Sequence, residues 1–121
     1  MRRSETISLL NSRDKVAFVT GAYGGIGRSV VEMLLESGTK VVATDISDFR
    51  FNNEDVLHLP LDVTKEKEVK DAIEKCIKHF GRLDFVIHLA GMVGSGRLDA
   101  MSLNEWEKVV TTNLTSAFLI L

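Results

Sequence analysis

The 121-residue sequence predicts an α/β domain built on a doubly wound parallel sheet that runs through about four strands. Three observations predict it. Short, continuous apolar runs alternate with segments of helical periodicity, the pattern of strands covered on both faces by crossover helices. A glycine cluster stands where the first run gives way to the first helical segment, and an acidic residue closes the second run. Apolar residues at 45% and charged residues at 26% lie close to the soluble average, which excludes collagen-like, low-complexity and strongly disordered chains.

The elements follow in order. Lys15–Thr20 (KVAFVT) is a β-rich run that ends at glycines. Residues 26–37 place Ile26, Val30, Val31, Leu34 and Leu35 at helical spacing, and Gly38 suits the helix end. Lys40–Thr44 is the second strand, closed by Asp45; residues 46–54 are polar and leave room for little more than a turn. Val56–Pro60 is a third strand. Val69, Ala72, Ile73, Cys76, Ile77 and Phe80 form an apolar helix stripe, with Thr64 as its expected cap and Gly81 as its stop. Leu83–Leu89 is the fourth strand, followed by a loop holding Gly91, Gly94 and Gly96. Ser102 and Glu105 form an S-x-x-E capping box for the last helix. Trp106, Val109, Val110, Asn113, Ala117 and Phe118 continue along one face of it. The chain thus divides into a polar N-terminal arm, residues 1–14, and one domain, residues 15–121.

Charge and cysteine content narrow the function. A net charge of −2 gives no electrostatic footprint for nucleic acid. The single cysteine, Cys76, offers neither an internal disulfide nor a metal cluster. No stretch reaches the roughly 18 consecutive apolar residues of a membrane span, so no membrane partner is expected. The N-terminus has no signal-peptide apolar region, and the expected location is the cytoplasm. A short organelle-targeting arm is the alternative reading of residues 1–14, against which Glu5 and Asp14 count.

Thr20-Gly21-Ala22-Tyr23-Gly24-Gly25-Ile26-Gly27 lies between the first strand and the first helix. Gly21 suits the tight turn out of the strand, Gly25 admits a pyrophosphate close to backbone, and Gly27 brings the helix against the sheet. The helix N-terminus adds free N–H groups and partial positive charge. Gly21, Tyr23, Gly24, Gly25, Ile26 and Gly27 are therefore the expected phosphate-binding segment. Asp45, 18 positions beyond Gly27, completes the strand–loop–helix–acid context of a dinucleotide site. Its carboxylate suits an adenosine ribose diol and repels a 2′-phosphate; two unit charges 4 Å apart cost about 4 kcal/mol at an effective dielectric near 20. Neither Ala22, Tyr23 nor Gly24 supplies a cation, and Arg50 is the nearby one after the second strand. NAD is preferred over NADP on this reading.

From about Lys15 onward the sequence resembles the short-chain dehydrogenase/reductase family. Thr20-Gly21-x-x-x-Gly25-Ile26-Gly27 is similar to that family's glycine motif, and Asp45 to its NAD-selecting acid. Leu61-Asp62-Val63 resembles the segment that holds adenine, so Asp62 and Val63 join the expected cofactor site; Asp62 also suits a cap for the helix beginning near Lys65. His88-Leu89-Ala90-Gly91 stands where the family has Asn-Asn-Ala-Gly. Ala90 and Gly91 are small where cofactor passes the strand end, and His88 reads as a buried, hydrogen-bonded structural residue. The resemblance equates Asn113 with the helix asparagine of the family's proton relay. On the apolar face its amide must find partners, since an unsatisfied one costs about 1–3 kcal/mol.

The rest of that relay is a Ser, a Tyr and a Lys in Tyr-x-x-x-Lys. Tyr23 is the only tyrosine, and Gly27 stands four positions on. A six-stranded sheet needs about six units of roughly 30 residues, and this chain supplies about four. The expectation is the cofactor-binding half of an NAD-dependent oxidoreductase that moves a hydride between nicotinamide and an alcohol or ketone carbon. It is expected to be inactive alone, and a homo-oligomer acting on a small-molecule alcohol or ketone when complete. Two alternatives stay open: a non-catalytic dinucleotide-binding or dimerising fragment, and a methyltransferase.

Overall fold

The computed structural model describes residues 12–121. Four parallel strands, β1 (Val16–Thr20), β2 (Lys40–Asp45), β3 (Val56–Pro60) and β4 (Phe85–His88), form one sheet in the order β3-β2-β1-β4. Helix α1 (Gly25–Glu36) joins β1 to β2, and α2 (Glu66–Phe80) joins β3 to β4. After β4 come a 3-10 turn (Leu98–Ala100) and α3 (Leu103–Val110), a π-helical turn (Thr111–Thr115) and α4 (Ser116–Ile120).

Strand periodicity divides the core. Val16 and Phe18 of β1 pack with Val42, with Val69, Ala72 and Cys76 of α2, and with Ile120 of α4. Ala17 and Val19 point the other way, to join Val41, Ala43 and Val31 of α1. All five residues of β1 are buried, because helices cover both faces of the sheet. The chain is therefore doubly wound. It leaves β1 toward β2 on one side and reaches β4 on the other, and the strand order reverses between β1 and β4. Crevices at the carboxyl ends of strands flanking such a reversal are where open α/β sheets bind ligands.

Three local expectations need correction. Ile26 does not join the buried stripe of α1; it is 72% exposed, while Gly27 and Val31 face the sheet. Gly27 sits so close to the β1 exit that it takes the contact position itself and turns Ile26 outward. Thr64 does not cap α2: its amide and hydroxyl both donate to Asp62 Oδ1, and the N-cap residue is Lys65, without a side-chain cap bond. The last helix does not bury the expected face. Trp106 is 50% and Phe118 81% exposed, and Asn113 is exposed, whereas Ser116 and Ile120 are buried. The π turn at Thr111–Thr115 inserts one extra residue, which rotates the segment after it, Ser116 to Ile120, by about 100° relative to an uninterrupted α-helix; Trp106 precedes the turn and Asn113 lies within it.

Gly81 ends α2 as expected, in the left-handed region at φ 80°. Ser102 Oγ accepts the Glu105 amide at 3.1 Å, as an N-cap residue should. Most of the arm at residues 1–14 lies outside the described residues. Its last part is docked: the Thr39 hydroxyl donates to the Ser12 carbonyl, and the Asp14 amide to the Gly38 carbonyl.

Candidate functional site: a cleft at the carboxyl end of the sheet

A cleft of ≈ 570 Å³ opens at the carboxyl ends of the strands, walled by Gly21 and Gly24, by Thr44, Asp45 and Ile46, by Leu61–Thr64, and by Leu89–Met92 with Thr112. Segments from all four strand ends and the π turn thus meet in one place. Of the residues expected to bind cofactor, Gly21, Gly24, Asp45, Asp62, Val63, Ala90 and Gly91 line it. Gly25, Ile26 and Gly27 continue the loop from Gly24 into α1. Tyr23 lines an adjoining smaller hollow instead, with Phe49, Arg50 and His58.

The three motif glycines have different reasons to be there. At Gly21, φ is +64°, and a Cβ would lie 2.8 Å from the Ala90 amide nitrogen. A side chain at Gly27 would come within 2.1 Å of the Gly21 carbonyl oxygen. Both are therefore demanded by packing. A Cβ at Gly25 would meet nothing within 4 Å. The fold does not need glycine there, and the open space lies beside the N-terminus of α1. The first helical bond runs from the Arg28 amide to the Gly24 carbonyl. The Gly25, Ile26 and Gly27 amides precede it and are the orphan donors of a helix start.

Asp45 and Asp62 are fixed by the same device. Asp45 Oδ1 accepts the Ser47 amide at 3.0 Å and hydroxyl at 2.8 Å, and Oδ2 accepts the Tyr23 amide at 3.2 Å. Asp62 Oδ1 accepts the Thr64 amide and hydroxyl at 3.0 and 2.6 Å. Each acid thus closes an Asx turn with a hydroxyl residue two positions on. Burial alone raises the Asp45 carboxyl, but the bonds from Ser47, Tyr23 and Ile46 outweigh it and hold the group below its ordinary range. The Thr64 hydroxyl and amide do the same for Asp62. Both carboxylates are ionised at neutral pH. Asp45 Oδ2 keeps capacity for a further donor such as a ribose hydroxyl.

Asn113 is exposed rather than buried, yet its amide is satisfied. Oδ1 accepts the Met92 amide at 3.0 Å and Nδ2 donates to the Met92 carbonyl at 2.7 Å. The side chain mimics one rung of a β-ladder and clamps the loop that follows β4. A Cβ at Gly91 would lie 2.6 Å from Asn113 Oδ1, so glycine at that position admits the clamp.

Sequence reasoning missed several contributors. Thr20 Oγ1 accepts the Leu89 and Ala90 amides at 3.0 and 3.1 Å, which ties the exit of β1 to the exit of β4. His88, expected to be structural, sits between Thr20 Oγ1 at 2.6 Å and Ser116 Oγ at 3.0 Å. Arg28 donates to the Tyr23 carbonyl and lies 4.0 Å over the Phe49 ring, which pins the loop after β2. The D-x-S and D-x-T spacings were available as Asx-turn signals. The Arg28–Phe49 pair joins segments far apart in sequence and carries no local signal.

Among the described residues no group of His, Cys, Asp and Glu is placed to hold a metal, and no helix is long and apolar enough to cross a membrane.

Comparison with known proteins gives a consistent answer. The family profile described as short chain dehydrogenase matches residues 15–121. A CLA biosynthesis dehydrogenase/reductase of Lactiplantibacillus plantarum is 34% identical over 113 residues, covering 86% of this chain and 40% of the relative. An uncharacterized oxidoreductase of Staphylococcus aureus strain MRSA252 is 35% identical over 108 residues, covering 84% and 47%. Among solved structures, the ligand-free aldohexose dehydrogenase of Thermoplasma acidophilum aligns with a TM-score of 0.82 at 33% identity, covering 89% of this chain and 42% of that one. A short chain dehydrogenase from Mycobacterium smegmatis aligns with a TM-score of 0.83 at 30% identity, covering 91% and 50%. The chain spans about half the length of the relatives it matches.

Proposed function

This chain belongs to the short chain dehydrogenase family, and we propose that its cleft is the NAD(H) site of an oxidoreductase acting on a small alcohol or ketone. The observation that carries the reading is the open space at Gly25 beside the orphan amides of α1, with Gly24 and Asp45 in the wall of the cleft. That combination fits a dinucleotide. The Gly25–Gly27 amides would take the pyrophosphate, Asp45 the adenosine ribose, and Asp62 with Val63 the adenine. Gly91 and Thr112 border the remaining end of the cleft. NAD, when bound, supplies the hydride chemistry; the protein contributes position and electrostatics. The ionised Asp45 carboxylate supports NAD over NADP, because a 2′-phosphate would meet a like charge. Asn113 is the relay residue by resemblance, and in this chain its side chain holds Met92.

A second reading is favoured by one sequence fact. Tyr23, the only tyrosine, has no lysine four positions on, so the 121 residues carry no Tyr-x-x-x-Lys. By this reading the chain alone binds dinucleotide without turning over substrate. Titration of the purified chain with NADH and NADPH, followed by nicotinamide fluorescence, tests the proposal. Saturable NADH binding that is tighter than NADPH binding is expected; failure to bind either overturns it.

A further inference from the structure

We propose that His88 is the positioning residue of this cleft, locked as the neutral Nε2–H tautomer between the β1 exit and the π turn. The proposal rests on the dinucleotide reading for its functional consequence and on hydrogen-bond counting for its geometry. Thr20 Oγ1 accepts the Ala90 amide and shares the Leu89 amide with the Thr20 carbonyl, so its lone pairs already face two donors. Its remaining contact is His88 Nδ1 at 2.6 Å, so the Thr20 hydroxyl donates and Nδ1 accepts. At the other end of the ring, the Ser116 hydroxyl donates to the Thr112 carbonyl. Having spent its one hydrogen, Ser116 Oγ accepts from His88 Nε2 at 3.0 Å. The Ser116 end assigns the tautomer, and the two amides at Thr20 Oγ1 agree with it.

The relay runs Thr20 O–H to Nδ1, Nε2–H to Ser116, and Ser116 O–H to the Thr112 carbonyl. It joins the residue that begins the glycine loop to the turn that carries Asn113. The Ser116 amide bonds the Thr111 carbonyl, one residue further back than in an α-helix, while its hydroxyl takes the Thr112 carbonyl. His88 thus supports the widened turn from below. The turn so supported carries both Thr112, in the cleft wall, and Asn113, which holds Met92. An imidazolium, with hydrogens on both nitrogens, would displace the Thr20 hydroxyl from Nδ1. Burial already opposes that form and lowers the His88 pKa.

The test is nuclear magnetic resonance of the ¹⁵N-labelled 121-residue chain combined with NADH titration. The imidazole nitrogen shifts of His88 in the parent are expected to show hydrogen on Nε2 and none on Nδ1. Ser116→Ala is expected to raise hydrogen exchange at the Met92 amide and weaken NADH binding, each by roughly tenfold or less, the scale of one net hydrogen bond. Thr20→Ser, which keeps the hydroxyl, is expected to retain the tautomer. A hydrogen on Nδ1 in the parent overturns the proposal, as does unchanged Met92 exchange in Ser116→Ala. The parent shift needs no variant, so it decides the tautomer even where Ser116→Ala does not fold. A parent that shows the expected shifts and exchange response but binds no NADH keeps the positioning role of His88 and removes the dinucleotide reading.

Discussion

Gly25 and Gly27 are two residues apart, yet substitution should affect them in opposite ways. A side chain at Gly25 projects into open space, whereas one at Gly27 collides with the Gly21 carbonyl at 2.1 Å. Gly25→Val is therefore expected to abolish NADH binding with little loss of stability. Gly27→Ala is expected to destabilise the fold by about 1–3 kcal/mol, the usual cost of overpacking. Thermal unfolding and NADH titration of both variants check the contrast; parental NADH affinity in Gly25→Val would reduce the loop to a simple turn. On the proposed reading, Asp45 selects between NAD and NADP. Removing its carboxylate in Asp45→Ala takes away one charged hydrogen-bond acceptor and one like-charge repulsion. NAD affinity should fall by about tenfold and NADPH affinity should rise. A parent chain that binds NADPH as tightly as NADH would refute the selectivity argument. The sequence made these positions legible because each is written in local spacing: glycines at a strand–helix junction and an acid at the next strand end. Arg28 over Phe49 was not legible, since a contact between a helix and the loop after the next strand has no local pattern.

At the scale of elements, the order of strands and helices is legible because apolar residues follow a fixed period; within the α2 stripe Val69, Ala72 and Cys76 are buried, while Ile77 is 44% exposed and Thr64 does not cap the helix. The last helix was misread through that same period. Period 3.6 assumes an unbroken α-helix, and the π turn at Thr111–Thr115 breaks the phase. Asn113, expected on a buried face, lies within that turn and faces the loop after β4, where its amide clamps Met92. The clamp and Gly91 are one unit, because a Cβ at Gly91 would lie 2.6 Å from Asn113 Oδ1. Gly91→Ala and Asn113→Ala should each destabilise the chain, and the double variant should lose less than the sum. A coupling of about 0.5–3 kcal/mol is expected for such direct neighbours, measured by denaturant unfolding of the four-member cycle. Additive losses would show that the two residues act separately. The β1–β4 junction adds a pH dependence. Burial lowers the folded-state pKa of His88 below its ordinary 6.5. The unfolded chain then takes up the proton first as the pH falls, so the contribution of His88 is complete above 6.5 and is lost as the pH falls through the folded-state value. His58, lowered by burial and by Arg50, loses stability in the same direction. Separate titration of the two rings by nuclear magnetic resonance distinguishes them; a His88 pKa above its ordinary value would reverse the sign.

Among the described residues β4 lies at the edge of the sheet, with Phe85 exposed on the strand. An edge strand offers unpaired backbone groups to any extended segment that approaches. Trp106, Leu114 and Phe118 add exposed apolar surface on the last helical segments. The sheet interior is in the opposite condition: β1 is buried along its whole length, and α1 and α2 cover its two faces. The chain should therefore fold around β1 and self-associate through β4 and the last helix. Catalysis should be silent in the same preparation. Without Tyr-x-x-x-Lys there is no side-chain acid of that type to protonate a carbonyl oxygen as hydride arrives, and acid–base assistance is typically worth about 10²–10⁴ in rate. Two measurements bear on this prediction: light scattering of the purified chain across a concentration series, and NADH oxidation against a panel of ketones. Mass should rise with concentration while NADH consumption stays at the background rate. A concentration-independent monomer would show that the β4 edge is protected. Ketone-dependent NADH oxidation would show that another group in the cleft supplies the proton, and Asn113 with the ionised Asp45 and Asp62 would be the first residues to substitute.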